Sequence, residues 1–198
     1  MAQKDKMTAY RICRPILGFI YKLYYNPTII GKDNIPKNGR CILAGNHTNN
    51  FDCILLISCT KRCIHFLAKD ELYKGFKKIL FKNMGIIPVN RRIKDKSVIR
   101  KADAILEKEG LIGVFPEGTI NRTDDVIMPF KMGTVKMASD TDSYIVPFCI
   151  TGEYKPFKKN NLQIVFDKPY KLKDKNLEFE NQKLMNIVSK NITRYKEK

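Results

Sequence analysis

The chain has 198 residues, enough for one domain whose core needs neither disulfide nor metal. Hydrophobic residues make up 43% and charged residues 29%, a balance that excludes a disordered or low-complexity chain. Thirty-seven Lys and Arg against 20 Asp and Glu give a net charge of +17, which turns the protein toward anionic partners: a membrane surface, phosphorylated small molecules or nucleic acid.

Residues 8–25 place Ile12, Ile16, Phe19, Ile20 and Leu23 on one helical face and cluster Arg11, Arg14 and Lys22 on the other. Such a basic amphipathic helix suits the headgroup layer of an anionic membrane. It suits equally a first helix docked on the protein's own core. The apolar stretch 15–21 is too short to span a bilayer, is closed by Lys22 and lacks a small-residue cleavage site, so neither a membrane crossing nor secretion is expected.

A turn-rich link (Asn26, Pro27, Gly31, Pro36, Gly39) leads to a buried strand at 41–44, and a helix over 53–57 follows with Asn49 or Asn50 as its N-cap. His47 then stands at a strand-to-helix junction. A second strand at 63–68 runs into a helix from about Asp70, with Leu72, Phe76, Ile79 and Leu80 inward, Lys74, Lys77, Lys78 and Lys82 outward, and Gly85 as its stop. A strand at 86–89, a helix at 95–110 with Gly110 at its C-terminal end, and a strand at 111–115 come next. The remaining elements are a weak helix at 131–140, strands at 145–150 and 162–166, and a closing helix at 184–195. Strands alternating with helices predict an α/β fold with a mixed, largely parallel β-sheet flanked by helices. The expected organisation is an amphipathic membrane-interface helix at 1–25 and one domain over 26–198.

Residues 61–101 carry 13 Lys and Arg against three acids, Asp70, Glu71 and Asp95, which makes one flank strongly basic. The six cysteines follow no secreted framework and read as reduced thiols. Cys59, Cys63 and His65 lack a second ligand pair at zinc-site spacing, so no metal is expected.

Three elements carry chemistry. In His47-x-x-x-x-Asp52 the separation of five does not share a face within one regular helix, but at a junction the carboxylate of the first turn folds back to the imidazole. The other ring nitrogen is then a general base, kept neutral by the positive end of the helix. In GIIPVNR, preceded by Lys82, an apolar strand delivers Arg91 to the sheet edge, where a guanidinium suits a phosphate. In FPEGT, a buried strand ends in a tight turn that holds Glu117, Gly118 and Thr119 at the same edge, the acid serving as ligand contact or loop brace.

With Val146 and Pro147 ending another apolar segment, these blocks resemble, in order and spacing over about 45–151, the conserved blocks of the 1-acylglycerol-3-phosphate acyltransferase family. The resemblance implies the glycerolipid acyltransferase fold and transfer of a fatty acyl chain to the sn-2 hydroxyl of a lysophosphatidic acid, giving phosphatidic acid. It implies His47 as the base, Asp52 as its support, and Arg91 with the Glu117, Gly118 and Thr119 turn as contacts for the glycerol phosphate. Lys82, just ahead of the Arg91 strand, is a further candidate for that clamp. Acyl-acyl-carrier-protein or acyl-coenzyme A would be the co-substrate, with no resident cofactor, at the cytoplasmic face of the cell membrane as a peripheral protein. Two positions depart from the family pattern: Ile120 stands where Arg is common and Asn49 where Ser is common. Arg122 is the candidate replacement, and another lysolipid acceptor stays open. The rival functions are a nucleic-acid-binding protein, which lacks any zinc-finger or RNP-like motif here, and a non-catalytic lipid-binding module.

Overall fold

The computed structural model describes residues 7–73, 77–90, 96–158 and 161–196. Its sheet contains β1 (Thr28–Ile30), β2 (Cys41–Gly45), β3 (Ile64–Lys69), β4 (Ile87–Val89), β5 (Leu111–Val114), β6 (Tyr144–Gly152) and β7 (Leu162–Phe166), in the order β1-β7-β6-β2-β5-β3-β4. Neighbouring strands are parallel except β6 and β7, which run antiparallel. The helices are α1 (Thr8–Tyr25), α2 (Asp52–Cys59), α3 (Lys77–Asn83), α4 (Lys96–Glu107), α5 (Gly133–Thr141) and α6 (Leu177–Lys196). This is the mixed, largely parallel α/β sheet that the alternating pattern predicts.

Central strand β2 reads CILAG without a polar residue because both of its faces are covered, as parallel strands require. Cys41 and Leu43 join a core with Tyr10 and Tyr21 of α1 and Leu55 and Leu56 of α2. Ile42 and Ala44 join the opposite core with Ala102 and Leu106 of α4, Val135 of α5, and Leu184 and Val188 of α6. Because β2, β3, β4 and β5 run the same way, the loops at their carboxyl ends collect at one edge of the sheet, the usual place for a site in such folds.

Helix α1 has the predicted bounds, and its orientation combines features of both readings that its sequence allowed. Its buried residues are Tyr10, Gly18 and Tyr21, with Gly18 packed on Ser58 of α2. The stripe Ile12, Ile16, Phe19, Ile20 and Leu23 faces away from the core, each residue between 54% and 70% exposed. The helix therefore docks on the core and also presents an apolar face outward.

Other expectations need correction. The single helix expected from Asp70 to Gly85 is a short 3-10 turn at Asp70–Tyr73 and the separate α3, and Ile79, expected inward, is exposed. Residues 74–76 and the side chains of Leu72, Lys77, Lys78 and Leu80 lie outside the described structure. Strand β1 occupies what read as link. Helix α4 ends at Glu107, and the left-handed residue after it is Glu109 (φ 59°), not Gly110. Gly110 is required because a Cβ there would come within 2.4 Å of the Ile105 side chain. Helix α6 starts at Leu177, earlier than its apolar period suggests, because the Asn176 side chain accepts the N–H groups of Glu178 and Phe179.

Candidate active site

Strand β2 ends at Gly45, where a Cβ would sit 2.2 Å from the carbonyl oxygen of Phe148, so the close approach of β6 demands glycine. Asn46 extends the pairing with its side chain: Nδ2 donates to Ile150 O at 2.9 Å and Oδ1 accepts from Ile150 N at 2.8 Å. His47 follows in a loop fastened on two sides. Its N–H donates to Glu117 Oε1 at 2.7 Å, and its carbonyl accepts from the Asn121 N–H at 2.9 Å.

The loop turns at once into α2. No side chain caps the helix at Phe51; Asn49, an expected cap, accepts the Phe51 N–H through Oδ1 instead. Asp52, fully buried at the helix start, points back into the loop. Its Oδ2 accepts from His47 Nδ1 at 2.8 Å, Thr48 N at 2.7 Å and Asn49 N at 2.9 Å. Its Oδ1 accepts from the Thr48 hydroxyl at 3.1 Å and from the Tyr154 hydroxyl. An ionised carboxylate has no proton to give, so Nδ1 carries the ring proton and Nε2 keeps its lone pair. The imidazole lies flat on Phe115, centroids 4.1 Å apart at 14°, and its side chain is 16% exposed. Position 52 thus orients the ring at 47, as the spacing predicts.

Glu117 is 3% exposed, and its second oxygen accepts the Met128 N–H at 2.9 Å. Both oxygens are committed to backbone donors, so the carboxylate ties the His47 loop to the loop that follows β5. Of the two roles the sequence left open, the geometry is that of the brace. Burial pushes its carboxyl above the usual range, against the pull of the two N–H groups. Gly118 takes φ +75°, and a Cβ there would meet the Lys131 ammonium at 2.5 Å. The turn therefore leaves room for a lysine.

His47, Gly118, Thr119 and Arg122 all line one cleft of about 860 Å3. Lys69 from β3, Glu71 and Lys131 add charge to it, while Leu67, Val89, Val98, Ile99, Val114 and Met137 supply apolar wall. Lys82 is exposed on α3 and does not line this cleft. Arg91 lies outside the described residues, although its neighbour Asn90 lines the cleft. Ile120 also lines it, and among the described residues the cations lining it are Lys69, Arg122 and Lys131. Lys69 and Lys131 carry no motif signal and reach the cleft only through the fold. Tyr154 was equally invisible to motif reading. Among the described residues no group of three His, Cys, Asp or Glu side chains is placed to hold a metal ion, Cys59, Cys63 and His65 included.

A family model described as Acyltransferase matches residues 26–151. The 1-acyl-sn-glycerol-3-phosphate acyltransferase of Borreliella burgdorferi is 37% identical over 135 residues, covering 67% of this chain and 54% of that protein. The chain therefore spans about half the length of that relative. The enzyme of the same description from Bacillus subtilis is 27% identical over 165 residues, covering 81% of each. In three dimensions the chain is similar to the 1-acyl-sn-glycerophosphate (LPA) acyltransferase of Thermotoga maritima, with a TM-score of 0.76 at 19% identity over 100% of this chain and 86% of that one.

Proposed function

Because the chain belongs to the acyltransferase family, we propose that it esterifies the sn-2 hydroxyl of a 1-acylglycerol 3-phosphate with a fatty acyl group from a carrier-protein or coenzyme A thioester. The observation that carries this reading is the His47–Asp52 couple, 2.8 Å apart, set on a cleft with cations and an apolar wall. His47 Nε2 takes the proton of the acceptor hydroxyl as its oxygen attacks the thioester carbonyl. Asp52 stabilises the imidazolium that forms. The tetrahedral adduct then expels the thiolate, which recovers a proton from His47. Neither a metal nor a resident cofactor has a role in this sequence of steps. Arg122, Lys131 and Lys69 serve the acceptor's phosphate, and Gly118 and Thr119 shape its seat. The family resemblance adds Arg91 as a further cation for that phosphate, whereas Lys82, outside the cleft, takes no part in it.

The acceptor is an amphiphile, and the outward stripe of α1 suits the surface where it resides. Phe157 adds to that stripe: it is 74% exposed, its N–H donates to Tyr24 O at 2.7 Å, and its ring meets Tyr24 edge-on at 4.9 Å. Arg11 and Lys22 lie exposed on the same helix, so peripheral docking on an anionic membrane, at its cytoplasmic face, completes the reading. All six cysteines are free, as a reducing compartment requires.

Purified protein incubated with a panel of lysolipids and both thioesters, followed by mass spectrometry of the lipids, tests the reaction. Phosphatidic acid from lysophosphatidic acid is the expected product; binding without product from any thioester would refute catalysis. Docking is tested by Ile16→Ser with Phe19→Ser and Leu23→Ser, since deleting α1 would also remove Tyr10 and Tyr21 from the core. Loss of sedimentation with anionic vesicles, without loss of melting temperature, is expected; undiminished sedimentation would refute docking.

A further inference from the structure

Tyr154 follows β6 just after Gly152, where φ is +83° and a Cβ would fall 1.8 Å from the carbonyl oxygen of Asn161. The chain is thus bent sharply before the phenol, which turns inward to Asp52. Its ring is gripped by α1, with Tyr25 edge-on at 5.5 Å and Tyr21 at 6.5 Å, and by Phe51 at 6.3 Å. Burial and the facing carboxylate hold the phenol far above its ordinary range, so the hydroxyl stays protonated and donates. The other donors to Asp52, from His47, Thr48 and Asn49, belong to its own loop. Among the described residues, Tyr154 reaches the carboxylate from elsewhere in the chain.

We propose that Tyr154 is a positioning residue: by donating to Asp52 Oδ1 it limits how tightly that carboxylate holds a proton on His47, and it ties this setting to α1. The inference rests on the acyl-transfer reading for its kinetic consequence alone. Each donor on Oδ1 draws off charge that would otherwise stabilise the imidazolium. A base that holds its proton too tightly is already protonated when the acceptor hydroxyl arrives. Among the described residues, the other titratable or charged groups facing the couple are Glu117 from the loop after β5, Cys53 of α2, Tyr21 and Tyr25 of α1, and Lys69, Glu71, Arg122 and Lys131 around the cleft. A change at Tyr154 alone leaves all of these in place.

Tyr154→Phe keeps the ring and removes the hydroxyl. The chain has two histidines, so ring-proton NMR of the substrate-free protein follows the His47 titration, assigned by its loss in His47→Gln. The midpoint is expected to rise by about 0.5–1 pH unit. With lysophosphatidic acid and acyl-coenzyme A, the acid limb of kcat/KM should move upward with it while KM holds, which a packing defect would not produce. Thr48→Val removes the other hydroxyl on Oδ1 and is the second variant, with a shift in the same direction. An unmoved His47 midpoint in either folded variant overturns the proposal, even in an active acyltransferase. A shifted midpoint in a protein that turns over no thioester would sink the acyl-transfer reading instead and leave the Tyr154–Asp52–His47 coupling standing.

Discussion

Glu117→Gln separates a brace from a substrate contact. The carboxylate oxygens lie 2.7 Å from the His47 nitrogen and 2.9 Å from the Met128 nitrogen, and both partners are backbone donors that cannot turn away. Glutamine offers one acceptor and one NH2 group, so whichever way the amide lies, one N–H must face another donor. Losing the charge-assisted bond costs about 1.5–3 kcal/mol, and stranding a buried N–H costs about 1–3 kcal/mol more. Burial already raises the Glu117 carboxyl above its usual range, so desolvation offsets part of what the native bonds contribute. A net loss of about 3 kcal/mol corresponds, for a chain of this size, to a melting temperature roughly 6–12 °C lower. One of the two N–H groups belongs to His47 itself, so kcat should fall by about 10-fold or more as the base loses its seat. Thermal unfolding without substrate and steady-state kinetics are the assays. Wild-type stability together with a raised KM would refute the brace and restore Glu117 as a substrate contact.

His47→Ala should lower kcat by about 10²–10⁴-fold while the protein stays folded, since Thr48, Asn49 and Tyr154 still donate to Asp52; comparing turnover with unfolding checks both halves. Arg122→Ala and Lys131→Ala should each raise KM by roughly 10-fold or more for an acceptor with a terminal phosphate and leave one without it unaffected, measured on matched lysolipids. Glu180 is buried, which raises its pKa, but the N–H groups of Lys173 and Asp174 and the Lys183 ammonium outweigh burial and hold it below the usual range. A depressed carboxylate contributes stability above its unfolded value, about pH 4.3, that is lost as pH falls through its folded value. Urea midpoints from pH 6 to pH 3 should therefore decline less steeply in Glu180→Gln than in wild type.

What the sequence disclosed follows from where each signal is stored. Strands β2 and β5 are legible because covering both faces leaves only apolar residues, and those four- and five-residue runs stand out. Strand β1 is not, because Thr28–Ile30 is half-buried at the sheet edge between Pro27 and Gly31 and resembles its flanking turns. Helix α6 begins before its periodic residues because its start is fixed by polar acceptors, Asn176 and Glu180, on which an apolar count is silent. In the site, the His47–Asp52 contact is local, five residues of chain folded over a helix start, so spacing carries it. Tyr154 lies 102 residues from the carboxylate it donates to, and Lys69 and Lys131 come to the cleft from separate elements; only the parallel order of the strands brings them together.

Helix α1 shows why a periodic pattern identified the right stripe without deciding what it faces. Apolar residues recurring at helical spacing mark one side of the helix as water-averse, and core and lipid satisfy that side equally. Here the side that meets the core is Tyr10, Gly18 and Tyr21, aromatic and small residues that are only weakly apolar, while the strongly apolar stripe is the one left outside. The tyrosines are suited to the inner side because each brings a large ring and a polar tip. Tyr10 uses that tip to accept the Ile64 N–H at 3.1 Å, holding α1 to β3. Tyr21 and Tyr25 use their rings, edge-on against Tyr154. The helix thus has two different sides: an exposed apolar stripe outside, and support for the phenol that grips Asp52 inside. From the exposed Phe157 a continuous set of aromatic contacts runs through Tyr24, Tyr25 and Tyr154 to the Asp52 carboxylate, and Phe51, next to Asp52 and 44% exposed, touches both Tyr25 and Tyr154.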